Sequence, residues 1–383
     1  MVQIDRRTLL GALGVGISSV SGCLGSSDAG ADSGSIDDGS DGSTGSAAEG
    51  PPTVERSLPA AYTAEELEEA SRSGGPPPDG IPAIEDPQFA EATDPPALLD
   101  DGDPVFGVVL DGEAKAYPQS VLVWHEIVND VIGGTPVSVT YCPLTGTAQG
   151  FHRGETTFGV SGQLINANLV MFDRATEAWW PQMLATRITG DDPGEHLQEF
   201  RVVWTTWERW RSAHPETVVL TDDTGFARNY GSDPYGGYNP RNGYYAGDSF
   251  LFPPLTEDAR LTPKTVVIGM RSANGAVAVR KETLREERII EFDLNAVRHA
   301  AVYDESLDTG YVYRIGGGGE NGDESEGTDS DDLETATLSW ADGDVVVDGT
   351  VHAPDSLPFE REIVFDAMWF AWYGYYPMTD LHR

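Results

Sequence analysis

The sequence predicts a β-rich α+β fold in which two degenerate repeats of a hairpin, a helix and a strand pack as one large domain. Three observations predict it. Short β-type runs separated by turn residues fill the chain from Val105 onward. Helical spacing is confined to stretches of about ten residues. The order of runs between Val105 and Thr147 recurs between Val267 and Gly310.

Composition narrows the function. Of 383 residues, 63 are Asp or Glu and 24 are Lys or Arg, a formal net charge of −39. Only Lys115, Lys264 and Lys281 are lysines; the other cations are arginines. An acid surplus with scarce lysine is the composition of a surface solvated in molar salt. A nucleic-acid ligand is excluded, because nothing supplies the basic stripe that phosphate neutralisation requires.

The amino terminus reads as an address. Arg6 and Arg7 precede an apolar run from Leu9 to Val20, which ends in Val20-Ser21-Gly22-Cys23. That run is too short to span a bilayer, which takes ~20 residues. Residues 1–23 resemble a twin-arginine lipoprotein signal. The resemblance implies export through the twin-arginine translocase, lipidation of Cys23, and anchoring on the extracellular face of the cytoplasmic membrane. With the acidic composition it points to a haloarchaeal surface protein. Two acyl chains at ~0.8 kcal/mol per buried methylene suffice for stable anchoring; the alternative is an uncleaved amino-terminal anchor.

Residues 24–57, rich in Ser, Gly and Asp, lack the apolar surface that would offset the entropy of ordering, and read as a disordered acidic tether. The folded extracellular domain is expected over 58–383. A short acidic helix is predicted at Ala64-Glu65-Glu66-Leu67-Glu68-Glu69-Ala70, broken by Gly75-Pro76-Pro77-Pro78. The compact part begins near Ile81-Pro82-Ala83-Ile84.

Val105 to Leu110 and Glu113 to Tyr117 flank Asp111-Gly112, a strong hairpin signal. Val121 to Asp130 has helical spacing, with Val121, His125 and Val128 on one face and Gly133-Gly134 as its end. Thr135 to Tyr141 alternates as a strand and delivers Cys142 to a strand end before Pro143. Thr157 to Val170 is β-rich and leads through the turn Asp173-Arg174-Ala175-Thr176 to Trp179-Trp180-Pro181-Gln182. Thr205 with Glu208 matches a capping box, so Trp207, Trp210 and Ala213 are expected on one face of a helix ending at Pro215. The first repeat covers 104–190 and the second 264–377, with a disordered acidic insertion at 316–332. Asp304 stands in the second repeat where Cys142 stands in the first, and nothing there replaces His125. The aromatic segment from Met368 to Pro377 is too short to span a bilayer and is expected in the core.

Several motifs in order resemble a known family. They are Ile81-Pro82-Ala83-Ile84, Ala116-Tyr117-Pro118, His125-Glu126-Ile127-Val128-Asn129-Asp130, Thr140-Tyr141-Cys142-Pro143-Leu144-Thr145-Gly146-Thr147, Ser161-Gly162 and the run from Asp173 to Gln182. His214-Pro215, Tyr230, Pro234-Tyr235 and the Trp-rich end continue the match, which covers most of Ile81 to Pro377. The family resembled is domain of unknown function 3179. It implies an exported bacterial and archaeal protein and brings no activity, substrate or cofactor. The chain departs from the pattern mainly in the acidic insertion near Asn321.

Once Cys23 is lipidated, Cys142 is the sole thiol. Three readings stay open. His125 lies seventeen residues before it, and a thiolate–imidazole pair, with Asp173 or Glu126 orienting the ring, would serve acyl transfer or thiol redox chemistry. Cys142 and His125 are also soft ligands for copper or zinc, although no short ligand spacing accompanies them. The third reading is a buried, inert thiol. Ser161 does not complete a Gly-x-Ser-x-Gly elbow, because Gln163 follows where glycine is needed. Tyr141, Trp180, Gln182, Tyr230 and Tyr235 are candidates for a groove that takes a small molecule, glycan or peptide, as are Tyr238 and Tyr244. Two functions follow: a thiol-dependent or metal-assisted surface enzyme built on Cys142 and His125, or a noncatalytic ligand-binding lipoprotein.

Overall fold

The computed structural model describes residues 49–55, 58, 61–273, 275–316 and 336–383. The signal with Arg6, Arg7 and Cys23, the tether as far as residue 48 and the acidic insertion beyond Gly316 lie outside them. The tether is shorter than expected, because Thr53–Val54 pairs antiparallel with His196–Leu197 and order therefore begins before residue 58. The acidic helix α1 (Ala64–Glu69) forms under a reciprocal cap between Thr63 and Glu66.

The chain folds as a β-rich α+β protein. In the first unit, β1 (Pro104–Leu110) and β2 (Glu113–Pro118) form a hairpin. Asp111 and Gly112, with φ of 50° and 81°, fill the two left-handed positions of its turn. Helix α2 (Gln119–His125) follows and stops at Glu126, where φ is 61°. The helical spacing read through to Asp130 is overridden: Ile127–Ile132 is strand β3, paired with β4 (Thr135–Cys142). Its Ile and Val side chains are stiff at χ1 and pack well on a pleated surface. Gly133 and Gly134, both at positive φ, turn the β3–β4 hairpin instead of ending a helix.

Strand β5 (Thr147–His152) joins β4 on its other side. The meander β6 (Phe158–Ile165), β7 (Asn168–Asp173) and β8 (Trp179–Pro181) makes a separate sheet. The chain then returns as β9 (Val203–Thr206), antiparallel to β1, crosses as α3 (Trp207–Ala213) and ends the unit as β10 (Val218–Leu220), parallel to β2. Thr206, not Thr205, is the cap of α3, and no side chain caps it. Trp207 and Trp210 are buried as expected while Ala213 is exposed.

The second unit has the same order: β11 (Val266–Ser272), β12 (Gly275–Arg280), α4 (Lys281–Glu287), β13 (Ile289–Leu294), β14 (Val297–Asp304) and β15 (Thr309–Gly316). It is completed by β16 (Val364–Met368), α5 (Trp369–Tyr375) and β17 (Asp380–His382). Pairings correspond at a constant spacing of 162 residues, so Val203 opposes Gly107 as Phe365 opposes Gly269. Trp210 lies on Gly107 and bonds Thr217 at 2.9 Å; Trp372 lies on Gly269 and bonds Thr379 at 3.0 Å. The likeness covers 104–152 with 203–220 and 266–316 with 364–382, which corrects the extents 104–190 and 264–377. The segment 153–202 has no counterpart in it.

The aromatic end of the chain packs in the core as α5. Trp369, Trp372 and Tyr375 share one buried cluster with Phe106, Tyr141 and Leu144, so the two units are sealed by the same apolar surface. Among the described residues no helix is long and apolar enough to cross a membrane.

Candidate functional site

Cys142 is the last residue of β4 and His125 the last of α2, on neighbouring elements, because the Tyr141 N–H donates to the Glu126 carbonyl at 2.7 Å. Their side chains have different partners. Cys142 is 1% exposed and its Sγ donates weakly to the Ala167 carbonyl at 3.8 Å. Burial pushes the thiol pKa up, and the charge of Glu126 pushes it further.

His125 is fully buried, with Nδ1 2.8 Å from the Pro82 carbonyl and Nε2 2.7 Å from the Tyr230 hydroxyl. A carbonyl only accepts, so Nδ1 carries the proton and Nε2 accepts from Tyr230. Burial pushes the imidazole pKa down to about 4, helped by the nearby positive charge of Arg228. No hydrogen bond joins His125 to Cys142. A neutral ring with both nitrogens engaged is not positioned to take a proton from the sulfur.

Asp173 does not orient His125 either. Its carboxylate accepts from Ala175 N, Thr176 N, Thr176 Oγ1 and Trp180 Nε1, at 2.6–3.1 Å, and so staples the turn between β7 and β8. Arg174 pairs with Asp79 and Glu85 instead of with Asp173. Among the described residues no group of three or more His, Cys, Asp or Glu side chains could hold a metal ion. Cys142 and His125 by themselves fall short of the four-ligand shells that zinc takes in structural sites. Ser161 is buried and donates to the Val170 carbonyl at 2.5 Å.

The groove candidates divide. Trp180 and Gln182 are core residues. Gln182 accepts from Thr147 Oγ1 at 2.7 Å and from Asn168 at 2.9 Å, and donates to Thr140 Oγ1 at 2.9 Å. The threonines of the Thr140 to Thr147 motif thus belong to a satisfied buried network that shapes the turn after Cys142. Tyr141 lies beneath the surface, its ring against Phe106 and Trp204. Tyr230 and Tyr235 are buried, Tyr230 as the partner of His125.

An open cavity of about 770 Å³ lies at the junction of the two units. Its aromatic wall is Trp204, Tyr238 and Tyr245, and Gly146 of the motif borders it. Gly146 has φ of 59°, and a Cβ there would lie 2.8 Å from the Tyr238 hydroxyl oxygen, so both turn and approach require glycine. Asp233 accepts from Tyr245 at 2.9 Å and from Gln119 at 2.7 Å, which fixes the Tyr245 ring. Burial pushes the Asp233 pKa up against the pull of those bonds. Matching positions of the two units line the same space: Gly146 and Asp308, Trp204 and Asp366, Thr206 and Met368.

The lining is also charged. Lys281 pairs with Asp366 at 2.7 Å, Arg285 with Asp308 at 2.8 Å, and Arg280 with Glu282. Lys264 and Arg241 make no ion pair with a carboxylate, although the charge of Asp248, in the same lining, acts on Lys264. The Lys264 ammonium donates to the Tyr244 carbonyl and lies 3.3 Å from the centroid of the Tyr244 ring. Burial pushes its pKa down to about 8. Arg241 donates to the Lys264 carbonyl at 3.3 Å and covers the Tyr238 ring at 5.5 Å. Trp204, Tyr245, Arg241, Lys264 and Lys281 were not read from the sequence as a site. A signal existed, because two of the three lysines in the chain line this one cavity.

Fold and cavity together define a β-rich α+β protein with a polar cleft between two like-folded units. The family model described as Protein of unknown function (DUF3179) matches residues 78–379, and the chain belongs to that family. No curated protein and no solved structure matches the chain.

Proposed function

We propose that this protein is a noncatalytic, lipid-anchored surface protein that binds a small ligand in the cleft between its two units. One observation carries the reading: the thiol and imidazole that would do chemistry are sealed in the core with their own partners, while the cleft presents aromatic side chains and two cations, Arg241 and Lys264, outside any ion pair. A cleft of this size, with a few converging polar groups, suits a small organic ligand. The Arg6-Arg7 pair and the Val20 to Cys23 lipobox support export by the twin-arginine translocase and lipidation at Cys23. The charge of −39 supports a saline extracellular setting. The shared element order and the spacing of 162 residues support descent of the two units from one duplicated unit, with Asp304 at the place of Cys142.

Thiol alkylation tests the reading. In the folded full-length protein with Cys23 lipidated, Cys142 is expected to resist alkylation at a pH below ~8.5 and to react only after unfolding. The purified protein is expected to carry no stoichiometric copper or zinc. Rapid labelling of the native protein at neutral pH, or one metal ion per chain, would overturn this reading in favour of the enzyme.

A further inference from the structure

We infer that the cleft takes a small organic anion, its carboxylate or phosphate group held by Arg241 and Lys264 and its body laid against Trp204 and Tyr238. The inference rests on the cleft being the ligand site and adds the chemistry of the ligand. It begins from an imbalance. Of the other cations that line the cleft, Lys281, Arg285 and Arg280 each pair with a carboxylate. Arg241 and Lys264, in the same lining, make no ion pair, and Asp248 acts on Lys264 without a direct contact.

A cationic ligand would find three of the cleft's carboxylates already neutralised, with only Asp248 of the lining unpaired. An anion would find two cations that are outside any ion pair. Lys264 is 5% exposed, and a buried ammonium is costly unless it is paired. Its carbonyl and ring contacts and the charge of Asp248 offset part of that cost, and a directly bonded anion would offset more of it. Arg241 is exposed and forked, so it can meet a carboxylate or phosphate with two parallel hydrogen bonds.

The geometry pre-organises this wall. Tyr238 and Arg241 form an antiparallel bridge, so ring and guanidinium are held together as one tight turn. Trp204 meets Tyr238 edge to face at 5.0 Å and is itself braced against Phe106. A planar ligand body resting there would have its anionic group directed along the wall toward Arg241 and Lys264.

The test is calorimetric titration of the folded full-length protein, at the lowest chloride concentration that keeps it folded, with benzoate, phenyl phosphate, benzyl alcohol and benzylammonium. The two anions are expected to bind at least ~10-fold more tightly than the neutral and cationic probes, a ratio equivalent to ~1.4 kcal/mol. Preference between benzoate and phenyl phosphate distinguishes a carboxylate from a phosphate ligand. Arg241→Gln and Lys264→Gln are each expected to weaken anion binding ~10-fold or more. Arg241 is exposed, so its variant remains interpretable if the Lys264 variant does not fold. Anion binding that is indifferent to Arg241→Gln overturns the inference. Equal or tighter binding of benzyl alcohol or benzylammonium, abolished by Trp204→Ala, also overturns it but leaves the cleft as a ligand site. Binding of none of the four probes removes both the anion and the cleft.

Discussion

His125 shows how burial converts a candidate catalyst into a structural element. The ring donates to Pro82 through Nδ1 and accepts from Tyr230 through Nε2, and it is neutral in the folded protein. Its folded pKa of about 4 lies below the ordinary value of 6.5, so between those values the unfolded chain binds more protons than the folded one. Stability from the neutral ring is therefore complete above pH 6.5 and lost as pH falls toward 4, a contribution on the order of 3 kcal/mol. Denaturant unfolding at fixed high salt is expected to show this loss in the parent. In His125→Gln that segment of the pH profile flattens while the stability at pH 7 drops. An unchanged slope in the variant would mean the ring is not the buried neutral group described. His125 and Cys142 were both legible in the sequence as residues of interest, and the strand-end position of Cys142 held. Their partners were not legible, because Tyr230 lies 105 residues beyond His125 and no local pattern links them.

At the scale of elements, each unit is locked where a tryptophan from a crossing helix lies flat on a glycine of a central strand. A Cβ added at Gly107 would come within 2.2 Å of the Trp210 ring, and one at Gly269 within 2.1 Å of Trp372. Overfilling a packed interior costs ~1–3 kcal/mol. Gly107→Ala and Gly269→Ala are accordingly expected to lower the thermal midpoint by similar amounts. Combining Gly107→Ala with Trp210→Ala should cost less than the sum of the two, since the collision disappears with the ring. Strict additivity would show that the ring does not occupy that space. Hairpins were readable because Asp111-Gly112 needs only local backbone chemistry. The stretch after His125 was misread because Val121, His125 and Val128 keep a helical spacing, whereas the left-handed turn at Glu126 and pairing with Val137 and Val139 depend on a strand not yet formed.

At the scale of the molecule, the cleft is lined by residues of both units and by the segment that carries Tyr238, Arg241 and Lys264. Anchoring belongs to the same scale, since one lipidated residue at the end of a long acidic segment would hold the whole folded part near the membrane. Cys23→Ser is expected to move the protein from the membrane fraction to the medium; retention of the variant in the membrane would favour an uncleaved amino-terminal anchor.

The β-rich class, the family, the Asp111-Gly112 hairpin and the burial of the aromatic end were legible in the sequence alone. Each of these rests on local backbone preference or on apolar content, which neighbouring residues carry. Which polar groups meet water and which are bonded inside follows from the packing of the folded chain. Burial of Cys142 and His125, and the gathering of Trp204, Arg241 and Lys264 on one cleft, depend on contacts between residues far apart in the chain. Those contacts follow from how the apolar faces of the two units pack, and no short stretch of residues encodes them.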